Sequence, residues 1–294
     1  MAAASVIRGG KADPGTHNNT DRWLKVLLLS AIVIYVYGRV AVELAVDWWT
    51  IPSQSQGLLI PPLALYIAWE RRNITLAVPA VPSNSGLFAV ACACGMFLIG
   101  KLGAEFFLMR LSLVVLLIGL TWTFWGLRRL RTLALPMLLL ATMVPLPALI
   151  YNAAATPLQL LASSIATDIA QALGVSVYRD GNIIHLANIA LGVEEACSGL
   201  NSLTALFVGS ILVGHLYCQR NTTRLVLICL SVPIAIAMNV LRVSGTAVIA
   251  DYREEFAMGF YHAFSGWLVF LMGFTVLYLT ARILHRTLDR FGET

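Results

Sequence analysis

The sequence predicts an all-α fold: a polytopic bundle of about eight transmembrane helices, both termini cytoplasmic. Three observations predict it. Hydrophobic residues make up 59% of the 294-residue chain, where a soluble domain holds roughly 45–50%. Charged residues make up 12%, about half the usual ~25%. The apolar residues also gather in runs long enough to cross ~30 Å of hydrocarbon. Disorder is excluded, because it needs low hydrophobicity and high net charge. With 22 Gly, 11 Pro and 5 Cys, the chain fits neither a collagen-like nor a disulfide-rich secreted scaffold.

The elements follow in chain order. Residues 1–22 are polar and small, and read as a disordered cytoplasmic tail without a cleavable signal peptide. The transmembrane domain covers 23–285, and 286–294 form a second cytoplasmic tail. The first span runs from 23 to about 42. Seven more are expected at 57–69, 86–100, 106–126, 133–151, 198–217, 225–249 and 264–284. The second carries Pro61-Pro62 and needs help from its neighbours. The stretch 157–173 is less apolar, with Gln159, Asp168 and Gln171 interspersed. It is expected to lie along a membrane surface, a span being the alternative.

Charge placement fits this layout. With the amino terminus inside, 14 of the 20 basic residues fall in cytoplasmic segments and 4 in outer ones. Arg39 and Arg242 lie within spans. Ten of the 15 acids fall outside. This is a positive-inside pattern. The net charge of +5 is therefore a topology signal, and no nucleic-acid partner is needed to explain it. The partner that composition does imply is the lipid bilayer. Two outer segments, about 152–197 and 250–263, are long enough to carry function.

Cys92, Cys94, Cys218 and Cys229 lie in spans or at a helix end and read as small apolar residues. Cys197 differs. It lies in Glu195-Ala-Cys-Ser-Gly, where an outer loop enters the sixth span. A helix amino terminus lowers a thiol's pKa and offers N–H groups to an oxyanion. Ser198 and Gly199 permit close backbone approach, as a substrate carbonyl requires. Packing is the bland reading of the same cysteine. Arg242, in Asn239-Val-Leu-Arg-Val, lies about eight residues from the outer end of its span, roughly 12 Å deep. A cation there costs ~2.5–3.5 kcal/mol, unless it snorkels, pairs or works. Asn239, three residues earlier on the same face, is placed to orient the guanidinium. His262, in Tyr261-His-Ala-Phe-Ser-Gly, sits at the outer end of the last span, and His185 lies in the loop before Cys197.

Cys197, Arg242 and His262 thus approach one membrane face from three spans. These residue types suit thiol acyl transfer: a nucleophile, a cation for the tetrahedral oxyanion and a proton carrier. No cofactor and no metal are expected, since no Cys or His pair has ligand spacing.

The chain resembles the exosortase/archaeosortase family. The resemblance rests on Glu195-Ala-Cys-Ser-Gly-Leu, Asn239-Val-Leu-Arg-Val, and His262 followed by Gly266. Upstream, Ser55-Gln-Gly-Leu-Leu-Ile-Pro-Pro running to Trp69-Glu-Arg-Arg looks like the family's amino-terminal pattern. The likeness covers about 25 to 285. It implies a bacterial inner-membrane cysteine transpeptidase with its site toward the periplasm, linked to exopolysaccharide systems. Implied substrates are exported proteins with a carboxy-terminal tag: a Pro-Glu-Pro-type motif, a transmembrane helix and a basic end. An unidentified acceptor takes the product. Carried over, Cys197 would be the nucleophile, Arg242 the transition-state cation and His262 the acid/base. Two positions depart from the pattern. Gln56 stands where a His precedes Gly, and Asn201 stands where many members have Arg. They leave the subfamily and its recognised motif open. Two other functions fit the residues less well: a transporter using Arg242 to bind an anionic solute, and a non-catalytic subunit of a polysaccharide export complex.

Overall fold

A computed structural model describes residues 17–193, 199–253, 255 and 259–289. The chain begins with α1 (His17–Thr50), so helix already covers six residues expected in the amino-terminal tail. A 3₁₀ helix (Pro52–Leu58) leads into α2 (Ile60–Glu70) and α3 (Arg72–Ala77). Then come α4 (Gly86–Leu102), α5 (Phe106–Thr132), α6 (Ala134–Thr142) and α7 (Ala148–Ala172). Three short strands follow: β1 (Tyr178–Asp180), β2 (Ile183–His185) and β3 (Ala190–Gly192). The chain closes with α8 (Leu200–Tyr217), α9 (Asn221–Tyr252), α10 (Gly259–Leu284) and a π turn, His285–Asp289.

Among the described residues, five segments are long and apolar enough to cross a membrane: Trp23–Thr50, Phe106–Thr132, Leu200–Tyr217, Asn221–Tyr252 and Phe264–Asp289. The helix Gly86–Leu102 is apolar but shorter. These match six of the expected spans. The other two are not single long helices. At 57–69, Pro61 and Pro62 occupy the first turn of α2, where a missing N–H is harmless, so they start a helix rather than interrupt one. The resulting 11 residues reach only about 17 Å. At 133–151 the helix stops after nine residues. Residues 143–147, containing Pro145 and Pro147, separate α6 from α7. The two short helices pack on each other, with Ile60, Ala64, Ile67 and Leu139 buried in one cluster with Leu44 and Val114.

The expected surface segment 157–173 is no separate element. It continues α7 through Pro157. Its small residues pack on protein, while Asp168 and Gln171 stay exposed. Ala162, Ala166 and Ala170 form a buried stripe beside α9 and the strands. Ser163 donates to the Gly181 carbonyl (3.1 Å), and Gln171 donates to the Val177 carbonyl (2.9 Å). The strands form an antiparallel sheet in the order β1-β2-β3, an addition too small to change the helical class. β1 and β2 turn at Gly181, whose φ of +60° suits a tight hairpin.

Close helix contact relies on glycine, as membrane bundles often do. A β-carbon at Gly119 of α5 would sit 2.8 Å from the Val90 backbone of α4. Gly126 breaks α5 with φ +83°, and a β-carbon there would overlap the Val81 carbonyl at 2.2 Å. Large apolar side chains such as Tyr35, Leu102 and Leu149 point outward, more than 80% exposed, as lipid contact requires. Arg110 is a buried residue of α5 and pairs with Asp47 of α1. Arg39 bonds Glu43 one turn away (2.8 Å) and is exposed.

Candidate active site

The site is assembled where α8, α9 and α10 pack together. Two glycines report how closely. Gly199 caps α8 in the left-handed region, φ +79°. Its α-carbon lies against the Asn239 side chain of α9: a β-carbon there would stand 2.6 Å from Cγ and 2.8 Å from Nδ2. Asn239 is buried, 6% exposed. It therefore braces the residue on which α8 begins. One turn further along α9 is Arg242, half-buried. Its guanidinium rests on Gly266 of α10, where a β-carbon would lie 2.8 Å from Nη2 and 2.9 Å from Cζ. His262 lies in the first turn of α10, four residues before Gly266 and so on the same helix face.

Of the expected site residues, Arg242, Asn239 and Gly199 are thus brought to one junction, with the His262 position one turn away along α10. Cys197, Glu195 and Ser198 lie outside the described residues. The strand preceding them is pinned: Val193 donates to the Asn182 carbonyl (2.9 Å), and Asn182 Nδ2 donates to the Val193 carbonyl (3.1 Å). α9 runs to Tyr252, which sets Arg242 ten residues, about 15 Å, from its end.

The other candidates are occupied elsewhere. His185 stacks on Tyr178 with centroids 4.6 Å apart and rings 8° from parallel. Cys92, Cys94 and Cys229 face outward from their helices. Cys218 is buried, and that burial, with the Asp289 carboxylate nearby, pushes its thiol above the usual range. It is a poor nucleophile.

The region spanning these elements matches a known family. Residues 48–279, about four fifths of the chain, match the family described as transmembrane exosortase. The chain belongs to the transmembrane exosortase family. Comparison with curated proteins and comparison with solved structures each return no match. Membership carries a membrane location and a role of the transpeptidase type.

For an exosortase, the amino-terminal pattern needs a structural role, and it has two. At one end, Gly57 lies under the Trp48 ring, which a β-carbon would meet at 2.2 Å. Trp48 Nε1 donates to the Met143 carbonyl (3.2 Å), and Gln56 Nε2 donates to Thr204 Oγ1 of α8 (2.9 Å). At the other end, Glu70 meets His215 Nε2 (3.1 Å) and Arg71 meets its Nδ1 (3.3 Å). The pattern therefore anchors both ends of α8.

Sequence reasoning missed a cleft of about 710 Å³ beside the start of α8. Its wall joins the α1–3₁₀ junction, the first turns of α5, the α6–α7 junction and the first turns of α8. Gln56 and Asn201, the two departures from the family pattern, both line it. They are about 150 residues apart in sequence, so only the fold relates them.

Proposed function

We propose that this exosortase is a cysteine transpeptidase of the bacterial inner membrane, acting at the periplasmic face. It would cleave exported proteins at a carboxy-terminal sorting signal of the Pro-Glu-Pro, helix and basic-tail type, in support of exopolysaccharide systems. The observation that carries this reading is the convergence at α8–α10. Arg242 rests on Gly266, one turn from the His262 position, while Asn239 braces Gly199, two residues after Cys197.

The Cys197 thiolate attacks the scissile carbonyl carbon, forming a C–S bond. Negative charge moves to the carbonyl oxygen, where the Arg242 guanidinium stabilises it. Collapse expels the amine, which takes a proton from His262, and leaves a thioester on Cys197. Water or an acceptor nucleophile then gives its proton to His262 and attacks the thioester. The sulfur leaves as thiolate, and the product carries a new carbon–oxygen or carbon–nitrogen bond. The α8 amino terminus favours the thiolate throughout.

Cys197→Ala, expressed beside a tagged substrate, should abolish processing on an immunoblot. Undiminished processing would remove Cys197 from the chemistry. Transport of an anionic solute draws no support from the cleft, which has no basic side chain among the described residues.

A further inference from the structure

The cleft beside α8 carries an inference that deepens the proposed reaction and rests on it for the substrate class. At about 710 Å³ it is within the size range of small-ligand sites. No Asp, Glu, Lys, Arg or His lines it among the described residues. Its floor is apolar, with Phe107, Met143 and Val208. Its polar groups are amides and hydroxyls, several already fixed. Gln56 Nε2 donates to Thr204, and Tyr151 donates to Asn201 Oδ1 (3.1 Å). This second bond fixes the Asn201 amide so that its Nδ2 faces away from Tyr151 as a donor. Gln54 Oε1 is buried and accepts no hydrogen bond among the described residues. A buried acceptor left unmet is one that a ligand N–H can satisfy.

We infer that this cleft, through Gln54, Gln56 and Asn201, binds an uncharged, extended segment of the substrate polypeptide next to the scissile bond, so that the signal this chain recognises has a neutral residue where the Pro-Glu-Pro motif carries its glutamate. An extended chain presents N–H and C=O groups in alternation, matching the Gln54 acceptor and the Asn201 donor. Its side chains alternate in direction, so every second one meets the apolar floor. A phospholipid headgroup brings a phosphate that the cleft has no cation to meet. A glutamate in the segment would lose water without gaining a counter-charge. Asn201 lies in the first turn of α8, close in sequence to Cys197. A segment held there therefore leads toward the nucleophile. Gln56 and Asn201 are in this reading specificity-determining residues, and their neutrality sets which segment fits.

The test uses the full chain with Cys197→Ala in lipid nanodiscs, so that binding is read without turnover. Two fluorescent synthetic substrates each carry an apolar membrane-spanning helix after a ten-residue extended segment. In one that segment has no ionisable side chain. In the other, glutamate occupies every third position. Anisotropy should show the uncharged form binding roughly tenfold tighter. Asn201→Arg should erase or reverse that preference. Gln54→Leu, which removes the acceptor at similar volume, should weaken the uncharged form at least threefold. Equal binding of both forms that neither variant alters would overturn the inference, as would no saturable binding or displacement by maltohexaose. If the preference holds while wild-type protein cleaves nothing, the transpeptidase reading falls and the cleft assignment stands. If cleavage is intact and the preference absent, the cleft assignment falls alone.

Discussion

Arg242 owes its position to Gly266, and that relation separates folding from chemistry. A β-carbon at position 266 meets only the end of a flexible side chain, so Gly266→Ala should leave expression and thermal stability near wild type. The guanidinium must shift, however, and a displacement near 1 Å at a reacting centre costs on the order of 10²-fold. Processing in a substrate co-expression assay should fall by that order; unchanged processing would make Arg242 structural. Arg242→Lys keeps the charge but loses the planar fork, and should cost roughly 10²–10³-fold, as loss of an oxyanion donor does. Wild-type processing by that variant would also count against the role. Residue type and order single out Cys197, Arg242 and His262 as candidates in the sequence. The partners Gly266 and Gly199 were less so, because a glycine's function lies in the backbone that approaches it. Asn239 was read as placed to orient the guanidinium, and its side chain also lies on Gly199, a contact the sequence does not show.

Elements were legible where apolar length alone decides them. α5, α8, α9 and α10 stand within about six residues of their expected bounds, while α1 runs from His17 to Thr50, well past the expected 23–42. Length alone misled at α2 and α6, where prolines start one short helix and follow the end of the other, and the two bury each other. The expected surface segment 157–173 starts inside α7, which begins at Ala148 and packs a stripe of Ala, Ser and Thr on protein. Gly126 illustrates an element limit set by one residue. Gly126→Ala would combine a left-handed φ with overlap onto the Val81 carbonyl, and should destabilise by about 2 kcal/mol or more. An unchanged melting temperature in detergent would contradict this. At the end of the bundle away from the start of α8, the buried Asp289 carboxylate accepts from Gln219 N (2.9 Å), Arg220 N (3.4 Å), Thr223 Oγ1 (2.6 Å) and His285 Nδ1 (3.0 Å). It ties the chain beyond α10 to the start of α9, where free N–H groups favour an anion. Asp289→Ala should lower stability by about 2–3 kcal/mol without abolishing processing, measured by thermal unfolding and immunoblot.

At the scale of the whole molecule, the ends of the helices divide two tasks. Around the start of α8 lie the uncharged cleft and the α8–α10 junction. Around its other end lie Glu70, Arg71, His215 and Arg224, a polar network that holds the helices in register. The basic residues predict that this second end is cytoplasmic. In a Cys197→Ala background, Asn188→Cys should react with a membrane-impermeant maleimide from the periplasmic side, and Arg286→Cys should not. The reverse pattern would invert the topology and place the site on the wrong face for exported substrates. The central claim is covalent catalysis at Cys197, and intact mass spectrometry tests it most directly. Protein reconstituted with a tagged substrate and quenched in acid should carry, on Cys197, the substrate's amino-terminal fragment as a hydroxylamine-sensitive thioester. Unmodified Cys197, together with undiminished substrate cleavage by Cys197→Ala, would contradict the account.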